Sequence, residues 1–576
     1  MTLPLIRESQ VALQHAAKHW LEQDPDPATR AELESLLAQA GDVNEPHQEI
    51  QDADDSPRAQ AWREIRDRFG TRLQFGTAGL RGRQEAGPNR MNRVTVAQAA
   101  RGLADYLIAR EDAPSIVIGY DARINSDIYA RDTAELMQAA GVNATILPRP
   151  LPTPVLAFAV RHLDASAGVM VTASHNPKWD NGYKVYLGKQ DQGSQIVPPA
   201  DREIATAIEA VAKHQRVPDL PRSHDYQTAS ESLIDSYVTE TAALFNAPVT
   251  PLKVAYTPLH GVGRDTFHRV LETAGIPLPQ IVPEQADPDG TFPTVEFPNP
   301  EEPGALDLAY ATGDASDADL ILAHDPDADR LAVAVPAEGG WRLFGGNEIG
   351  RMLGWRAAKA AAAAGQLEGT LATSLVSSPA LSKVAAHYGL GYAETQTGFK
   401  WISRAEGIIY GYEEALGYLV NPETVRDKDG VSAALAILEL AMLEAAEGRT
   451  LADLDNEFTV QFGAFESRQV ALRYDSVQVL PKVMDALRAE FPATVGEVAV
   501  SAVYDFETAP QPANILRVEL ADETRIMIRP SGTEPKIKVY IDANSTEGTV
   551  SERKVSAASR ADAAATAMRA LLTPTE

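Results

Sequence analysis

The stretch "GVMVTASHNPKWDNGYKVY", Gly168–Tyr186, decides how this chain folds and points to its chemistry. Its apolar start predicts a buried β-strand. The strand runs directly into Ser174, His175 and Asn176, and Pro177 fixes the exit of the loop. An ordinary surface turn does not need three such side chains at the end of a buried strand. We therefore interpret the loop as a candidate site, whose role depends on other loops far away in the chain.

The segments before this strand predict alternating strands and helices. "SIVIGY" and "ATIL" are typical of short strands, and "SDIYARDTAELMQAAG" between them is typical of a helix. Ser126 or Asp127 is the expected N-cap of that helix and Gly141 its stop. Closely spaced prolines then precede a second helix and the strand that ends at Val171. This βαβαβ order predicts a parallel or mixed sheet covered by helices.

The same order of strand, turn and helix returns twice, in "LKVAYTPLHGVGRDTFHRVLETAG" and in "TLATSLVSSPALSKVAAHYG". Near the C-terminus, "QVALRY", "ILRVEL" and "RIMIRP" predict antiparallel strands, with an exposed insertion at 542–557. A length of 576 residues is too great for one core. The predicted domains are a helical extension at 1–56, α/β domains at 57–240, 241–345 and 346–460, and an α+β domain at 461–576.

Composition narrows the classes of partner. The chain has 80 acidic and 52 basic residues and a net charge of −28, which argues against nucleic acid and anionic membranes as partners. An anionic substrate would need a locally basic cleft. The absence of cysteine excludes disulfides and thiolate chemistry. Without a long apolar run or an apolar N-terminal segment, the chain is expected to be a soluble cytoplasmic protein, either monomer or homodimer.

The loop "HDPDADR" places three carboxylates at alternate positions, Asp325, Asp327 and Asp329. Apolar strands flank it, and three crowded carboxylates repel one another unless a cation lies between them. Mg²⁺ prefers such oxygen ligands and often takes a phosphate oxygen as well. An EF-hand calcium loop is excluded because Arg330 and Pro336 stand where Gly and Glu are needed. A solvated acidic turn is the remaining alternative.

Three further loops have possible roles, each with a simpler structural alternative. Ser174 can carry a phosphoryl group, with Lys184 ten residues further on, or belong to a turn that caps a helix. In "GYEEALGY", Glu413 and Glu414 can accept hydrogen bonds from sugar hydroxyls or lie on a helix face. In "RPSGTEPKIKV" a guanidinium, two hydroxyls, a glycine and a lysine predict a phosphate cradle, although a simple turn also fits. The cradle residues are Arg529, Ser531, Gly532, Thr533 and Lys536.

Together these loops, in this order, resemble the α-D-phosphohexomutase superfamily of phosphoglucomutases and phosphomannomutases. The motifs are "FGTAGLRG", "TASHNP", "NGYKVY", "DPDADR", "TGFKWI", "GYEEALGY", "DKDG" and "RPSGTEPKIKVY", and the resemblance covers about residues 60 to 545. It implies a four-domain, heart-shaped fold, in which three related α/β domains with mixed sheets precede a TBP-like α+β domain. It also implies an active site in the central cleft.

The resemblance also implies roles for individual residues. Ser174 matches the family's phosphoserine, which completes a Mg²⁺ site made by the three aspartates, and His175 lies beside it. Arg81 and Lys184 match cations near the transferring phosphoryl group, and Arg330 matches an arginine that contacts the substrate or supports the base. The substrate-binding set that the resemblance implies is Thr397, Gly398, Glu413, Glu414, Arg529, Ser531, Gly532, Thr533 and Lys536.

One loop departs from the hexose mutase pattern. Many members have Ser where this chain has Ala415, and a histidine that follows in some is missing. The departure leaves Lys428 of "RDKDG" as the proton-transfer candidate and places the chain nearer the subgroup that contains phosphopentomutases. A long N-terminal extension and "YTPLHGVG" also fit that subgroup, which includes bacterial phosphoglucomutases and phosphomannomutases as well.

The resemblance predicts a phosphosugar mutase. We expect exchange between the 1-phosphate and 6-phosphate of glucose or mannose, through phospho-Ser174 and a hexose 1,6-bisphosphate. Mg²⁺ and glucose 1,6-bisphosphate, or the matching sugar bisphosphate, are the expected cofactor and activator. The main alternative is a phosphopentomutase acting on ribose or deoxyribose phosphates. A phosphatase and a non-catalytic phosphosugar sensor are the others, and "TASHNP" argues against the phosphatase.

Overall fold

The computed structural model describes residues 7–41, 54–77, 79–366, 368–509, 512–531 and 535–573. Two compact units divide the chain. The first unit comprises Met1–Leu244, Lys253–Leu331 and Glu423–Val431, and the second comprises Phe245–Leu252, Ala332–Pro422 and Ser432–Glu576.

The N-terminal helices are part of the first unit. Ala17, Trp20 and Leu33 share the apolar core that lies under the first sheet. The Trp62 indole N–H donates to the Ala40 carbonyl over 2.9 Å, which ties the third helix to the end of the second. Two helices lie in the described part of the predicted extension at 1–56, of which residues 1–6 and 42–53 lie outside the described residues. The helices are α1 Arg7–Leu21, α2 Pro27–Ala40 and α3 Pro57–Phe69.

The sheet of the first domain is mixed, as the sequence predicted. Its strands run in the order β1-β5-β4-β2-β3-β7, with β6 beside β5. β2 is parallel to β3 and β4, whereas β5 is antiparallel to both β1 and β4. The elements are β1 Leu80–Arg83, α4 Arg93–Ile108, β2 Ser115–Tyr120, α5 Ser126–Ala140, β3 Asn143–Ile146, α6 Thr153–His162, β4 Ala167–Val171, β5 Asp180–Leu187, β6 Ser194–Gln195, α7 Ala200–His214, β7 Gln227–Thr228 and α8 Glu231–Ala242.

The cap predicted for α5 is wrong, although its stop is confirmed. The N-cap is Asn125, at φ +66°, and no side chain caps the helix. The Ser126 side chain is instead buried, and its hydroxyl donates to Asp121 over 2.6 Å. Gly141 ends the helix at φ +96°, a left-handed conformation that glycine adopts without steric cost. The Ser126 hydroxyl, which the local pattern assigned to capping, is therefore bound to a buried acceptor that precedes it in the chain.

The rest of the first unit contains a short parallel arrangement. β8 is parallel to both β9 and β10, with α9 and α10 as connections. All four residues of β10 are buried, and the strand leads directly into the aspartate loop. The elements are β8 Val254–Thr257, α9 Gly263–Thr273, β9 Gln280–Ile281, α10 Asp307–Ser316 and β10 Leu320–Ala323.

The second unit begins with a hairpin and a four-stranded mixed sheet. β11 and β12 are antiparallel, and the sheet has the order β14-β13-β15-β16. β13 is parallel to β14 and β15, and β16 is antiparallel to β15. The elements are β11 Ala332–Ala337, β12 Gly340–Leu343, α11 Gly346–Ala363, β13 Thr370–Ser374, α12 Ala380–Tyr388, β14 Gly391–Thr395, α13 Phe399–Ile402, β15 Ile408–Glu413, β16 Gly417–Leu419, α14 Gly430–Ala446, whose first two residues belong to the first unit, and α15 Leu451–Phe462.

The C-terminal domain is an antiparallel sheet of six strands, β17-β22-β21-β20-β19-β18. Alternate residues of β20 are buried in the apolar core of this domain, which also includes residues of α16 and α17. The fold class, three α/β domains with mixed sheets followed by an α+β domain, is confirmed. The elements are β17 Ala464–Arg473, α16 Leu480–Ala489, β18 Thr494–Val495, β19 Val498–Asp505, β20 Leu516–Leu520, β21 Arg525–Pro530, β22 Lys536–Ser545 and α17 Val550–Leu572.

The exposed insertion predicted at 542–557 is wrong. β22 continues to Ser545, and α17 begins at Val550 behind a capping box made by Thr549 and Glu552. Asp542 is buried because it accepts hydrogen bonds from Ser467 over 2.6 Å and from Arg525 over 2.9 Å. The polar residues of this stretch therefore cap a helix or take part in buried hydrogen bonds. Across the described residues, no helix is both long and apolar enough to cross a membrane.

Candidate active site

The serine loop follows β4, every residue of which is buried. Ser174 is 2% exposed and has a left-handed backbone, at φ +52°, which a non-glycine residue adopts only when its surroundings hold it there. The Ser174 amide donates to the Thr172 hydroxyl over 2.9 Å, and that hydroxyl donates to Asp121 over 2.6 Å. The loop therefore presents the serine inward, in a fixed orientation.

Arg123 is the residue that holds this loop in place. Its guanidinium donates to four backbone carbonyls, those of Ser174 (2.6 Å), Asn176 (2.7 Å), Pro177 (2.9 Å) and Asp180 (3.1 Å). Sequence reasoning missed Arg123. The available signal was its position three residues after β2, because the carboxyl ends of the parallel strands β2 and β4 meet at one edge of the sheet.

The aspartate loop brings Asp325, Asp327 and Asp329 together. All three are fully buried, and one carboxylate oxygen of each lies within 4.8 Å of the others. Gly261 allows this loop to pack closely, since a Cβ there would lie 2.4 Å from the Pro326 Cα. The carboxylates therefore converge, as the alternating spacing predicted.

Asp327 and Asp329 have hydrogen-bond donors on one carboxylate oxygen only, whereas Asp325 also accepts from the Arg330 amide on Oδ1 over 3.1 Å. The Ser174 hydroxyl donates to Asp325 Oδ2 over 2.8 Å, and Lys184 Nζ donates to Asp327 Oδ2 over 2.7 Å and to Asp329 Oδ2 over 2.9 Å. Among the described residues, the buried Oδ1 atoms of Asp327 and Asp329 have no hydrogen-bond donor. Acceptor oxygens without donors are what a hard divalent cation binds. The donor set therefore fits Mg²⁺.

Thr153 is a second residue that sequence reasoning missed. At the start of α6, its hydroxyl donates to Asp327 Oδ2 over 2.6 Å and its amide donates to the Asp327 carbonyl over 2.9 Å. Two donors thus fix the same carboxylate oxygen of Asp327, because Lys184 shares it. The only sequence signal was a threonine among prolines, which is an ordinary helix start.

The three carboxylates differ in their pKa values. Burial, together with the negative charges of Asp327 and Asp329, raises the pKa of Asp325 well above its usual range. Burial alone would do the same to Asp327, but the charge of Lys184 and the hydrogen bonds from Lys184 and Thr153 lower its pKa. The pKa of Lys184 rises because the two aspartates outweigh its burial. The lysine therefore stays charged beside the aspartate loop.

Three more predicted residues lie around this centre. Arg330 Nε is 3.7 Å from Asp329 Oδ1, and Lys428 Nζ is 3.2 Å from Asp329 Oδ2. Arg81 donates to the Asn176 side chain over 3.1 Å, and burial with the nearby charge of Arg330 lowers the pKa of Arg81. Such crowded guanidinium groups favour a phosphate between them.

His175 adjoins the serine and is neutral at pH 7. Its Nδ1 lies 3.2 Å from the Ser174 hydroxyl. Burial, with the charges of Arg330 and Arg81, lowers the pKa of His175 well below its usual value. The first unit therefore gathers every catalytic and metal-binding candidate predicted from the sequence, together with Arg330.

The substrate-binding candidates on the other two loops belong to the second unit. Glu413 ends β15 and is buried, and the Glu414 carboxylate accepts from the hydroxyls of Ser374 and Ser377, each over 3.1 Å. Thr397 and Gly398 precede α13, with Gly398 at φ +108°. Arg529 is paired with Lys538 across β21 and β22, and the Ser531 amide donates to the Lys536 carbonyl over 2.9 Å. Gly532 and Thr533 lie outside the described residues.

Sequence models of four domains match the chain in order. They are the phosphoglucomutase/phosphomannomutase alpha/beta/alpha domains I, II and III, at residues 72–215, 235–339 and 346–462, and the C-terminal domain at residues 475–558. The chain belongs to the phosphoglucomutase/phosphomannomutase family. It is a phosphosugar mutase of the α-D-phosphohexomutase superfamily, and its aspartate cluster is consistent with the superfamily's Mg²⁺ site.

Relatives within the superfamily have different names. A probable phosphomannomutase of Haemophilus influenzae is 52% identical, with 79% of this chain and 93% of that protein covered. A phosphopentomutase of Homo sapiens is 35% identical (83% and 86% covered), and a phosphoglucomutase of Staphylococcus haemolyticus is 34% identical (83% and 91% covered). The crystal structure of a putative phosphomannomutase from Thermus thermophilus shares the fold, with a TM-score of 0.64 at 24% identity over 85% of this chain and 99% of that one.

Proposed function

We propose that the protein interconverts the 1-phosphate and 6-phosphate of a hexose, glucose or mannose, through phospho-Ser174 and a hexose 1,6-bisphosphate. The observation that carries this proposal is the 2.8 Å hydrogen bond from the Ser174 hydroxyl to Asp325, inside the aspartate cluster. A phosphoryl group on that oxygen would lie beside the metal-binding carboxylates and Lys184. A buried serine that faces inward is better suited to carrying a phosphoryl group than a serine in a surface turn is.

In the first half-reaction the bond between phosphorus and Ser174 Oγ breaks, and a bond from phosphorus to the free sugar hydroxyl forms. Lys428 is the proposed proton-transfer group: its ammonium gives a proton to the departing serine oxygen, and the resulting amine takes the proton of the attacking hydroxyl, so the protons balance. Mg²⁺ held by the three aspartates would supply charge neutralisation at the transferring group. Arg81, Lys184 and Arg330 provide fixed positive charge around the phosphoryl oxygens.

The second half-reaction needs the bisphosphate to present its other phosphate to Ser174. We assign recognition of the sugar hydroxyls to Glu413 and Glu414, with Thr397 and Gly398 beside them in this role. The distal phosphate is assigned to the cradle of Arg529, Ser531, Gly532, Thr533 and Lys536. We assign His175 to contact with the phosphoserine. Its ring is neutral there, so the positive charge around the phosphoryl group comes from the arginines and Lys184. Added glucose 1,6-bisphosphate, or the matching sugar bisphosphate, would load the serine and activate the enzyme.

The choice of sugar rests on two opposing observations. The relative at 52% identity is named a probable phosphomannomutase, which favours a hexose. Ala415 removes the hydroxyl that many hexose mutases have in the sugar loop, and relatives at 35% identity are named phosphopentomutases, which favours ribose or deoxyribose phosphates as the second candidate. A coupled assay over glucose, mannose, glucosamine and ribose 1-phosphates, each with its bisphosphate, decides between them. A dominant rate on the pentose would reverse the hexose assignment.

The phosphoserine assignment has its own test. Ser174→Ala should abolish mutase turnover, and intact-protein mass spectrometry should show no phosphoprotein after incubation with bisphosphate. Ser403→Ala is a matched control, since Ser403 is equally buried but belongs to the second unit, whereas Ser174 and the aspartates belong to the first. Normal turnover by Ser174→Ala would remove the serine from the mechanism.

A further inference from the structure

A short segment, Glu423–Val431, returns the chain to the first unit between two stretches of the second. We call it the return segment. It carries Lys428, whose long side chain has several rotatable bonds and adopts one conformation only when other residues hold it there. The residues on either side, Asp427 and Asp429, are both buried, and neither is a member of the metal-binding cluster.

Each of these flanking aspartates accepts hydrogen bonds from a buried tyrosine. Asp427 Oδ2 accepts from the Tyr186 hydroxyl over 2.8 Å and from the Gln195 amide over 2.7 Å. Both carboxylate oxygens of Asp429 accept from the Tyr237 hydroxyl, over 2.9 and 3.0 Å. The return segment is thus held on both sides of Lys428, by residues of the first domain.

The backbone of the return segment is fixed as well. The Gly430 amide donates to the Ala328 carbonyl over 3.2 Å, and His324 Nε2 lies 3.0 Å from the Gly430 carbonyl. A Cβ at position 430 would lie 2.4 Å from the Arg330 carbonyl oxygen and 2.8 Å from that of Ala328, so only glycine allows this approach. The segment therefore lies directly on the aspartate loop.

Strand β5 connects the two lysines of the site. Lys184 and Tyr186 are two residues apart and point to the same face of the strand. Lys184 reaches Asp329 Oδ2 over 2.9 Å, and Lys428 reaches the same oxygen over 3.2 Å. Asp427 can also attract the Lys428 ammonium, because Lys428 Nζ is 3.7 Å from Asp427 Oδ1. The hydrogen bonds that Asp427 accepts on its other oxygen, Oδ2, reduce this attraction.

We propose that Tyr186 and Tyr237 are positioning residues for Lys428, which hold it beside Asp329 through their hydrogen bonds to Asp427 and Asp429. The proposal rests on the proposed function, because the task of Lys428 there is proton transfer. Without the Tyr186 hydroxyl, Asp427 would have one donor fewer and would draw the Lys428 ammonium toward itself. The lysine would then leave Asp329 while the fold stayed intact.

The test is a double-mutant cycle with Tyr186→Phe and Lys428→Met. Tyr186→Phe is expected to lower kcat about tenfold with KM within about twofold, the size of one hydrogen bond to a charged group. In the Lys428→Met background, Tyr186→Phe should have no further effect, because the group that it positions is gone. Tyr237→Phe should behave in the same way. Tyr183→Phe is the matched control, since Tyr183 is a buried tyrosine of the same strand and has no hydrogen bond to the return segment.

Additive effects in the cycle, an equal loss of kcat in Tyr183→Phe, or full activity of Lys428→Met would each overturn the proposal. A crystal structure of Tyr186→Phe gives a readout that needs no activity, with Lys428 Nζ expected farther than 3.2 Å from Asp329 and closer to Asp427. An unmoved lysine would also overturn it. If Tyr186→Phe fails to fold, Gln195→Leu removes the other donor to Asp427 and gives the same predictions. If the wild type has no mutase activity on any phosphosugar, the proposed function fails, while the lysine position still tests this inference.

Discussion

At the scale of single residues, the site depends on side chains that orient the reacting ones. Ser174 has a backbone conformation that costs a non-glycine residue on the order of 1 kcal/mol or more, and Arg123 offsets this cost by donating to the carbonyls of the loop. Asp327 is oriented by Thr153 and Lys184 in the same way. A ligand that is already oriented loses little freedom when the metal binds.

Thr153→Val tests this orientation directly. Valine keeps the shape and the amide of threonine but removes the hydroxyl that donates to Asp327 over 2.6 Å. We expect the affinity for Mg²⁺ to fall by about 10- to 100-fold, as for other residues that orient metal ligands. Calorimetric titration with Mg²⁺ measures this without any turnover. Thr133→Val is the control, because Thr133 is as buried but donates to a carbonyl within its own helix. Equal affinity in Thr153→Val and wild type would contradict the orienting role.

At the scale of elements, the N-terminal helices complete the first domain. Glu32 on α2 accepts from Arg68 over 2.5 Å and from the Ala86 amide over 3.2 Å, so the helix supports the segment that follows the strand of Arg81. Leu33 is fully buried in the core shared with the first sheet. The helices are therefore structural parts of the domain, although the family's first domain is matched only from residue 72.

Leu33→Ala measures how strongly α2 supports the domain. A cavity at a fully buried leucine costs about 3 kcal/mol of unfolding free energy. Leu36→Ala, at a half-buried position of the same helix, should cost about 1 kcal/mol. Urea unfolding of both variants gives the comparison. Equal small losses in the two variants would mean that α2 lies on the domain without supporting it.

The local sequence pattern predicted the helices and strands well, but it did not predict hydrogen bonds between residues that are far apart in the sequence. The buried strand before Ser174 and the convergent aspartates followed from periodicity and spacing, which are properties of short stretches. Arg123 and Thr153 act across about 50 and 170 residues of sequence, and no local pattern shows such contacts. The polar stretch that was interpreted as an insertion failed for the same reason, because the partners of Asp542 lie on other strands. The predicted domain boundaries remain a prediction.

At the scale of the whole molecule, charge is distributed unevenly. The chain has a net charge of −28, whereas the candidate site in the first unit collects Arg81, Lys184, Arg330 and Lys428 around the aspartates. Bound Mg²⁺ would add to that positive charge. A cationic site within an acidic protein concentrates an anionic substrate locally, and the acidic surface disfavours other polyanions. The sequence indicated that an anionic substrate would need such a locally basic site.

The acidic surface does not by itself set the stability of the protein in acid, because buried carboxylates contribute as well. In the second unit, burial alone would raise the pKa of Asp455, but Arg351 and Lys554, at 2.5 and 2.6 Å, lower it to about 2. Since this pKa lies below the unfolded value, the stabilisation is complete above about pH 4 and is lost as the pH falls toward about 2.

We therefore expect the wild type to lose about 1 kcal/mol more unfolding free energy than Asp455→Asn between about pH 5 and pH 3. Asp455→Asn should also be less stable at pH 7, because it removes the carboxylate shared by the buried Arg351 and the half-buried Lys554. Urea unfolding followed by tryptophan fluorescence can report on this region, where Trp355 packs against Phe458. Parallel pH profiles for the two proteins would show that Asp455 does not titrate in this range.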